Sequence, residues 1–102
     1  MLIQNGSTSF GRLSGSGPQV TTTSVTFPST VSQATAILTG FIAEFSNGDD
    51  HHLGQLDVQV IVPPGGVSGT NVTVNVTFGL RDWSGTWDDQ YDGQIFFSVI
   101  AE

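Results

Sequence analysis

The chain has 102 residues, with nine Asp or Glu against two Arg and no Lys, for a formal net charge of −7. That balance excludes nucleic-acid binding and disfavours anionic membrane surfaces, because almost nothing is present to neutralise phosphate. There is no cysteine, so disulfides and thiolate zinc sites are excluded, and stability has to come from packing or assembly. Only 11% of residues are charged, and this scarcity, with abundant Thr, Ser, Gly and Val, predicts one all-β domain over residues 1–102 that hides area in an oligomer.

No apolar run approaches the length of a bilayer, so no membrane insertion is expected. Met1-Leu2-Ile3-Gln4 passes at once into polar residues, without the apolar stretch of a signal peptide. The compartment, extracellular or cytoplasmic, stays open.

In chain order, Leu2-Ile3-Gln4 and Ser9 to Leu13 read as short strands around Asn5-Gly6. The segment 1–19 is also a candidate for subunit contacts. Ser14-Gly15-Ser16-Gly17-Pro18 is a flexible connector. Val20 to Phe27 is a Thr-rich strand with Val25 and Phe27 on one face. Ala34 to Phe45 is a longer apolar strand, and Gly40 inside it predicts a bulge or the close approach of another backbone. Asn47-Gly48 is a hairpin turn signal. Leu56, Val58, Val60 and Val62 alternate with Gln55, Asp57, Gln59 and Ile61, until Pro63-Pro64-Gly65-Gly66 opens a loop to about Gly69. Val72, Val74, Val76, Phe78 and Leu80 alternate with polar residues and Gly79 from Asn71 to Arg81, which predicts a half-buried strand. Gln94 to Ala101 is apolar on both faces and is expected to be buried twice. Six strands with regular turn signals predict a six-stranded antiparallel β-sandwich.

The connection Asp82 to Gly93 carries the densest chemistry: Asp82, Asp88, Asp89 and Asp92, with Trp83, Trp87 and Tyr91. Carboxylates accept hydrogen bonds from hydroxyls, and ring faces cover the C–H side of a pyranose. Trp83, Tyr91, Asp88, Asp89, His52 and Arg81 are therefore the candidate carbohydrate contacts. The same aromatics serve equally as packing, within the domain or against a neighbouring subunit. Asp82, Ser84, Asp88 and Asp89 are the candidate ligands of a Ca²⁺ ion, which takes six to eight oxygens. Their order is not that of an EF-hand loop, and turn formation is the ordinary use of Asp and Gly there. Arg81 beside Asp82 predicts an ion pair at the loop base, or a clamp on a ligand. Arg12 is a candidate for pairing across a subunit boundary.

His51 and His52 are adjacent on a strand and point to opposite faces, so one chain cannot turn both onto one metal. A sugar cleft, a subunit contact or an ion on an oligomer axis remain as their roles. Asn5-Gly6-Ser7, Asn71-Val72-Thr73 and Asn75-Val76-Thr77 match the glycosylation pattern, but two of them lie on one strand, where Asn and Thr read as β structure. No nucleophile elbow is present, and paired Asp residues on a small sandwich make a poor hydrolase, so no enzyme is expected.

Four stretches, in order, resemble the H-type lectin family. They are Ile3-Gln4-Asn5-Gly6; Val25-Thr26-Phe27-Pro28 followed by Ala36-Ile37-Leu38-Thr39-Gly40-Phe41; His52-Leu53; and Thr86-Trp87-Asp88-Asp89-Gln90-Tyr91, followed by Ser98-Val99-Ile100-Ala101. The resemblance implies a six-stranded sandwich, a trimer or hexamer, and non-enzymatic binding of glycans of the galactose or N-acetylgalactosamine type in clefts between subunits. It also implies that Trp87 is structural. Gly54 stands where the family has Arg, Asp88 where animal members often have His, and Leu13 to Val20 lacks the acidic residue of the family's sugar-contacting loop. A structural, assembly or adhesion protein of the same fold that binds no sugar is the alternative.

Overall fold

A computed structural model describes residues 1–13, 17–46 and 52–102, with the side chains of residues 12 and 13 excepted. The Asn47-Gly48 turn, His51, the Ser14-Gly15-Ser16 connector and the Arg12 side chain lie outside what is described. Seven strands form: β1 (Leu2–Leu13), β2 (Gln19–Thr26), β3 (Ala34–Phe45), β4 (Leu53–Ile61), β5 (Val67–Ser68), β6 (Asn71–Asp82) and β7 (Tyr91–Ala101). The count exceeds the expected six because the segment read as a loop after Pro63 returns to pair Val67 with Val72 and Ser68 with Asn71. The N-terminal segment, expected as two short strands, is one strand, since Asn5 and Gly6 continue the ladder against Ser98 and Phe97. No helix forms among the described residues, and none is long and apolar enough to cross a membrane.

All pairings are antiparallel. One sheet has the order β1-β7-β3, and the other β2-β6-β4 with β5 alongside β6. β6 and β7 are therefore the central strands, hydrogen-bonded on both sides. Their inner faces meet in one core. Val72, Val74, Val76 and Phe78 come from β6, and Tyr91, Ile95, Phe97, Val99 and Ala101 from β7, all essentially inaccessible to solvent. The β-branched alternation of β6 suits a pleated surface with one dry face. Phe78 sits between Phe10 and Tyr91, with ring centroids 5.4 Å from each.

The outer faces differ. On the β2-β6-β4 sheet, Thr22 donates to Asn75 Oδ1 at 3.0 Å and Thr26 to Asn71 Oδ1 at 2.7 Å, so those two Asn side chains lie in cross-strand polar rows. On the β1-β7-β3 sheet, the outward set includes Ile3, Ile37, Ile42, Phe96 and Ile100. Phe96 and Ile100 are half-buried among their neighbours, which is how β7 comes to be apolar on both faces. The β3 flank is open. Leu38 and Phe41 have the inward phase of the pleat, yet stay 39% and 45% exposed. The bulge expected at Gly40 is present: Leu38 faces Phe97 and Gly40 faces Phe96, leaving Thr39 as the extra residue.

Truncating the best-packed ring tests the core. Phe78→Ala is expected to lower unfolding free energy by about 3–5 kcal/mol, whereas Thr22→Ala on the wet face should cost under about 1 kcal/mol. Urea denaturation of both variants checks this.

At one end of the β3–β7 ladder, Glu44 lies opposite Asp92. A hydrogen bond to that neighbouring carboxylate, then its charge, holds the Glu44 proton above the ordinary value of 4.5. A carboxyl that binds its proton more tightly in the folded chain stabilises the fold below its unfolded pKa. That contribution is lost as pH rises through the raised folded value. Glu44→Gln is therefore expected to lose less thermal stability than wild type between about pH 4 and pH 7, measured as melting temperature in parallel scans.

Candidate functional site

The connection between β6 and β7 passes from one sheet to the other at one end of the domain. It begins as a tight turn. Asp82 Oδ1 accepts the Ser84 backbone N–H at 3.0 Å, an Asx-turn, and Gly85 takes the left-handed conformation with φ 87°. The turn pushes Trp83 outward, where it is 73% exposed. The indole is braced: His52 packs against it with ring centroids 4.7 Å apart, and the Trp83 backbone N–H donates to the His52 carbonyl at 3.0 Å.

Beside the indole runs a strip of oxygens from alternate residues. Ser84 donates to Asp82 Oδ1, Thr86 donates to Asp88 Oδ1 at 2.9 Å, and the two hydroxyls lie 3.0 Å apart. Two hydroxyl protons thus serve three oxygen–oxygen contacts. The Thr86 backbone N–H also donates to Ser84 Oγ at 3.5 Å, and the carboxylate and hydroxyl oxygens of the strip are all acceptors. Its chemistry suits a ligand that brings donors, such as the hydroxyls of a sugar laid against the indole.

The underside of the loop is structural. Arg81 donates to the Asp82 carbonyl at 3.0 Å and to Gln55 Oε1 at 3.3 Å, and its guanidinium lies 5.7 Å from the centroid of the Trp87 ring. Trp87 is half-buried against the core. Asp89 is also half-buried, with Oδ2 shielded from solvent.

Tyr91 does not stay with the loop. It is fully buried, edge-on to Phe78, with Trp87 at 6.5 Å, and its hydroxyl donates to the Gly17 carbonyl at 3.2 Å. Burial pushes the phenol pKa up. The ring presents no face to solvent, so its assignment as a sugar platform is corrected to a core role. The physical reason is phase: β7 begins at Tyr91, not after Gly93, and Tyr91 takes the inward alternation shared with Ile95, Phe97 and Val99.

Of the six candidate sugar contacts, the structure brings Trp83 and His52 together and sets Asp88 at the far end of the same loop's strip. Arg81 and Asp89 lie at its half-buried base. For the candidate Ca²⁺ ligands, Asp82, Ser84 and Asp88 are joined through hydroxyls. Among the described residues, no three His, Asp or Glu side chains are grouped as metal ligands. Thr86, not singled out in the sequence, completes the strip. Its signal was the every-second-residue spacing of oxygen side chains from Asp82 to Asp88.

The Gly54 position also has a reason. A Cβ there would lie 2.0 Å from the Asp82 carbonyl oxygen, where β4 shifts register against β6 between Leu53 and Gln55. The strand can come this close to the loop base only without a side chain. Comparison with known proteins finds no matching family model, curated protein or solved structure.

Gly54→Ala is expected to push the Asp82–Trp83 backbone away and free the indole from His52. Trp83 emission should shift to the red, and stability should fall by about 1–3 kcal/mol, as measured by fluorescence-monitored denaturation.

Proposed function

We propose that this chain is a carbohydrate-binding, H-type lectin-like domain that acts as a non-enzymatic symmetric oligomer, a trimer or hexamer, on glycans of the galactose or N-acetylgalactosamine type. The all-β architecture of two antiparallel sheets supports the reading. The observation that carries the reading is the exposed Trp83 indole, braced by His52 beside an acceptor-rich strip. The indole covers the C–H face of a pyranose, and Asp88, with Thr86 and Ser84, accepts its hydroxyl protons. One such site is shallow and weak. Several copies on one oligomer raise the effective concentration at a glycan-bearing surface.

The apolar β3 flank favours a second reading, a structural or adhesion component of the same fold that binds no sugar. Trp83→Ala separates the two. Under the lectin reading it abolishes glycan binding and leaves the oligomer intact; under the structural reading it loosens the oligomer. A glycan array probed with the purified protein, in calcium and again in chelator, is expected to give selective signal on terminal galactose-type sugars. Loss of that signal in chelator would assign Asp82, Ser84, Asp88 and Asp89 to Ca²⁺. A blank array at high protein concentration with the oligomer intact overturns the lectin reading.

A further inference from the structure

Each sheet has two edge strands, and three of these edges expose only one or two large apolar side chains: Ile3 on β1, Val20 on β2, and Leu53 and Ile61 on β4. β1 presents Asn5, Ser7 and Ser9, β2 is a Thr-rich run between Pro18 and Pro28, and β4 carries Gln55, Asp57 and Gln59. The fourth edge, β3, has twelve residues with no Pro and no Lys, and a single charge at Glu44. Ile37, Leu38, Phe41 and Ile42 are 46%, 39%, 45% and 54% exposed. A long apolar edge with unpaired backbone groups is a template for another strand.

The run Ala36-Ile37-Leu38-Thr39-Gly40-Phe41-Ile42-Ala43 is nearly palindromic in size and polarity about the Thr39–Gly40 bond. In a regular strand such a palindrome could not pair with itself. Residues whose numbers add to an odd value fall on opposite faces of the pleat, because side chains alternate. The bulge removes that obstacle. Before it, Thr35 and Ile37 face outward; after it, Ile42 and Glu44 do. Ile37 and Ile42 thus share the outer face, and Leu38 and Phe41 share the inner one, as do Ala36 and Ala43.

We propose that β3 pairs with β3 of a second copy of this chain, antiparallel about a two-fold axis at the bulge. In this register Ile37 faces the partner's Ile42, Leu38 faces the partner's Phe41, and Ala36 faces the partner's Ala43. Glu44 faces the partner's Thr35, not another acid, so no like charges oppose each other. Thr39 faces the partner's Gly40, which leaves room for it. A bulge alone can turn an edge away from pairing. This one sits at the centre of the palindrome and meets its own copy, so both strands stay in phase on either side of it.

Gly40 supplies a separate observation. Its φ is not positive, and a Cβ there would meet only Phe96 Cδ2, at 3.8 Å. Among the described residues nothing else crowds that position, and glycine weakens a strand. In the proposed pairing a residue without a side chain there leaves space for the partner's Thr39. The area is adequate too. The four apolar side chains expose on the order of 300 Å² per copy. With the backbone edge and polar rim, the pair approaches the roughly 1,200 Å² in total at which specific interfaces begin. The contact is isologous, as a two-fold demands, and of the trimer and hexamer only the hexamer contains such axes.

Sedimentation equilibrium and cysteine cross-linking test this. At about 100 µM the wild-type chain is expected to sediment as a dimer or a higher even-numbered assembly. Folded Gly40→Val is expected to associate roughly tenfold more weakly or worse. The chain has no native cysteine, so a double Ile37→Cys, Ile42→Cys variant gives a clean readout that does not depend on Gly40→Val folding. Opposed positions on antiparallel strands lie within disulfide reach, whereas the two sites on one strand are roughly 15 Å apart. Mild oxidation is expected to link the double variant into a covalent dimer and leave each single variant monomeric on denaturing gels. A monomeric wild type at that concentration overturns the proposal. So do single variants that cross-link as fully as the double one, or a folded Gly40→Val chain that associates like wild type. Glycan binding is not read in either experiment, so these results stand apart from those of the array.

Discussion

Phe78 of β6 and Tyr91 of β7 meet edge to face at 5.4 Å, and this contact ties the two sheets together at the end that carries the Asp82–Gly93 connection. Both rings are inaccessible to solvent. They belong to the strands hydrogen-bonded on both sides, and β1, β2, β3 and β4 are added to that pair. The loop between them starts and ends on the two central strands. The Tyr91 hydroxyl extends the anchor to the Gly17 carbonyl, so the β1–β2 connection is tied to the same place.

That anchoring explains how a short loop holds a large exposed indole. Trp87 and Arg81 stack beneath, the Asx-turn at Asp82 sets the direction of the chain, and Gly54 lets β4 bring His52 against Trp83. An aromatic held in one orientation loses little conformational entropy when a ligand covers it, which is the usual advantage of preorganisation. The neighbouring strip is lined by carboxylate and hydroxyl oxygens, which accept from hydroxyl donors. The geometry thereby narrows the ligand chemistry that the composition of the loop leaves broad.

The open β3 flank and the exposed indole belong to different parts of the molecule. The first is an apolar edge running the length of a strand; the second is a polar end surface with one ring on it. A chain with net charge −7 and no Lys repels copies of itself at long range. Association therefore depends on a local surface that offers apolar contact, and β3 exposes Ile37, Leu38, Phe41 and Ile42 along one edge.

The strands themselves were legible in the sequence, because period-two alternation is a local property. Asn71 to Arg81, Ala34 to Phe45 and the bulge at Gly40 follow from side-chain spacing and from glycine's weakness in a strand. The acidic and aromatic character of the Asp82–Gly93 connection was equally plain. Tertiary structure decided which of those aromatics face water. The phase in which β7 leaves the loop sends Tyr91 inward, and the turn at Asp82 sends Trp83 outward; neither depends on the residue's own chemistry. It also decided which strands lie at sheet edges, and so where an apolar run is covered and where it stays exposed. Alternation along one strand carries no information about its neighbours. Sheet order is set by which faces find partners across the core, a relation between segments far apart in the chain.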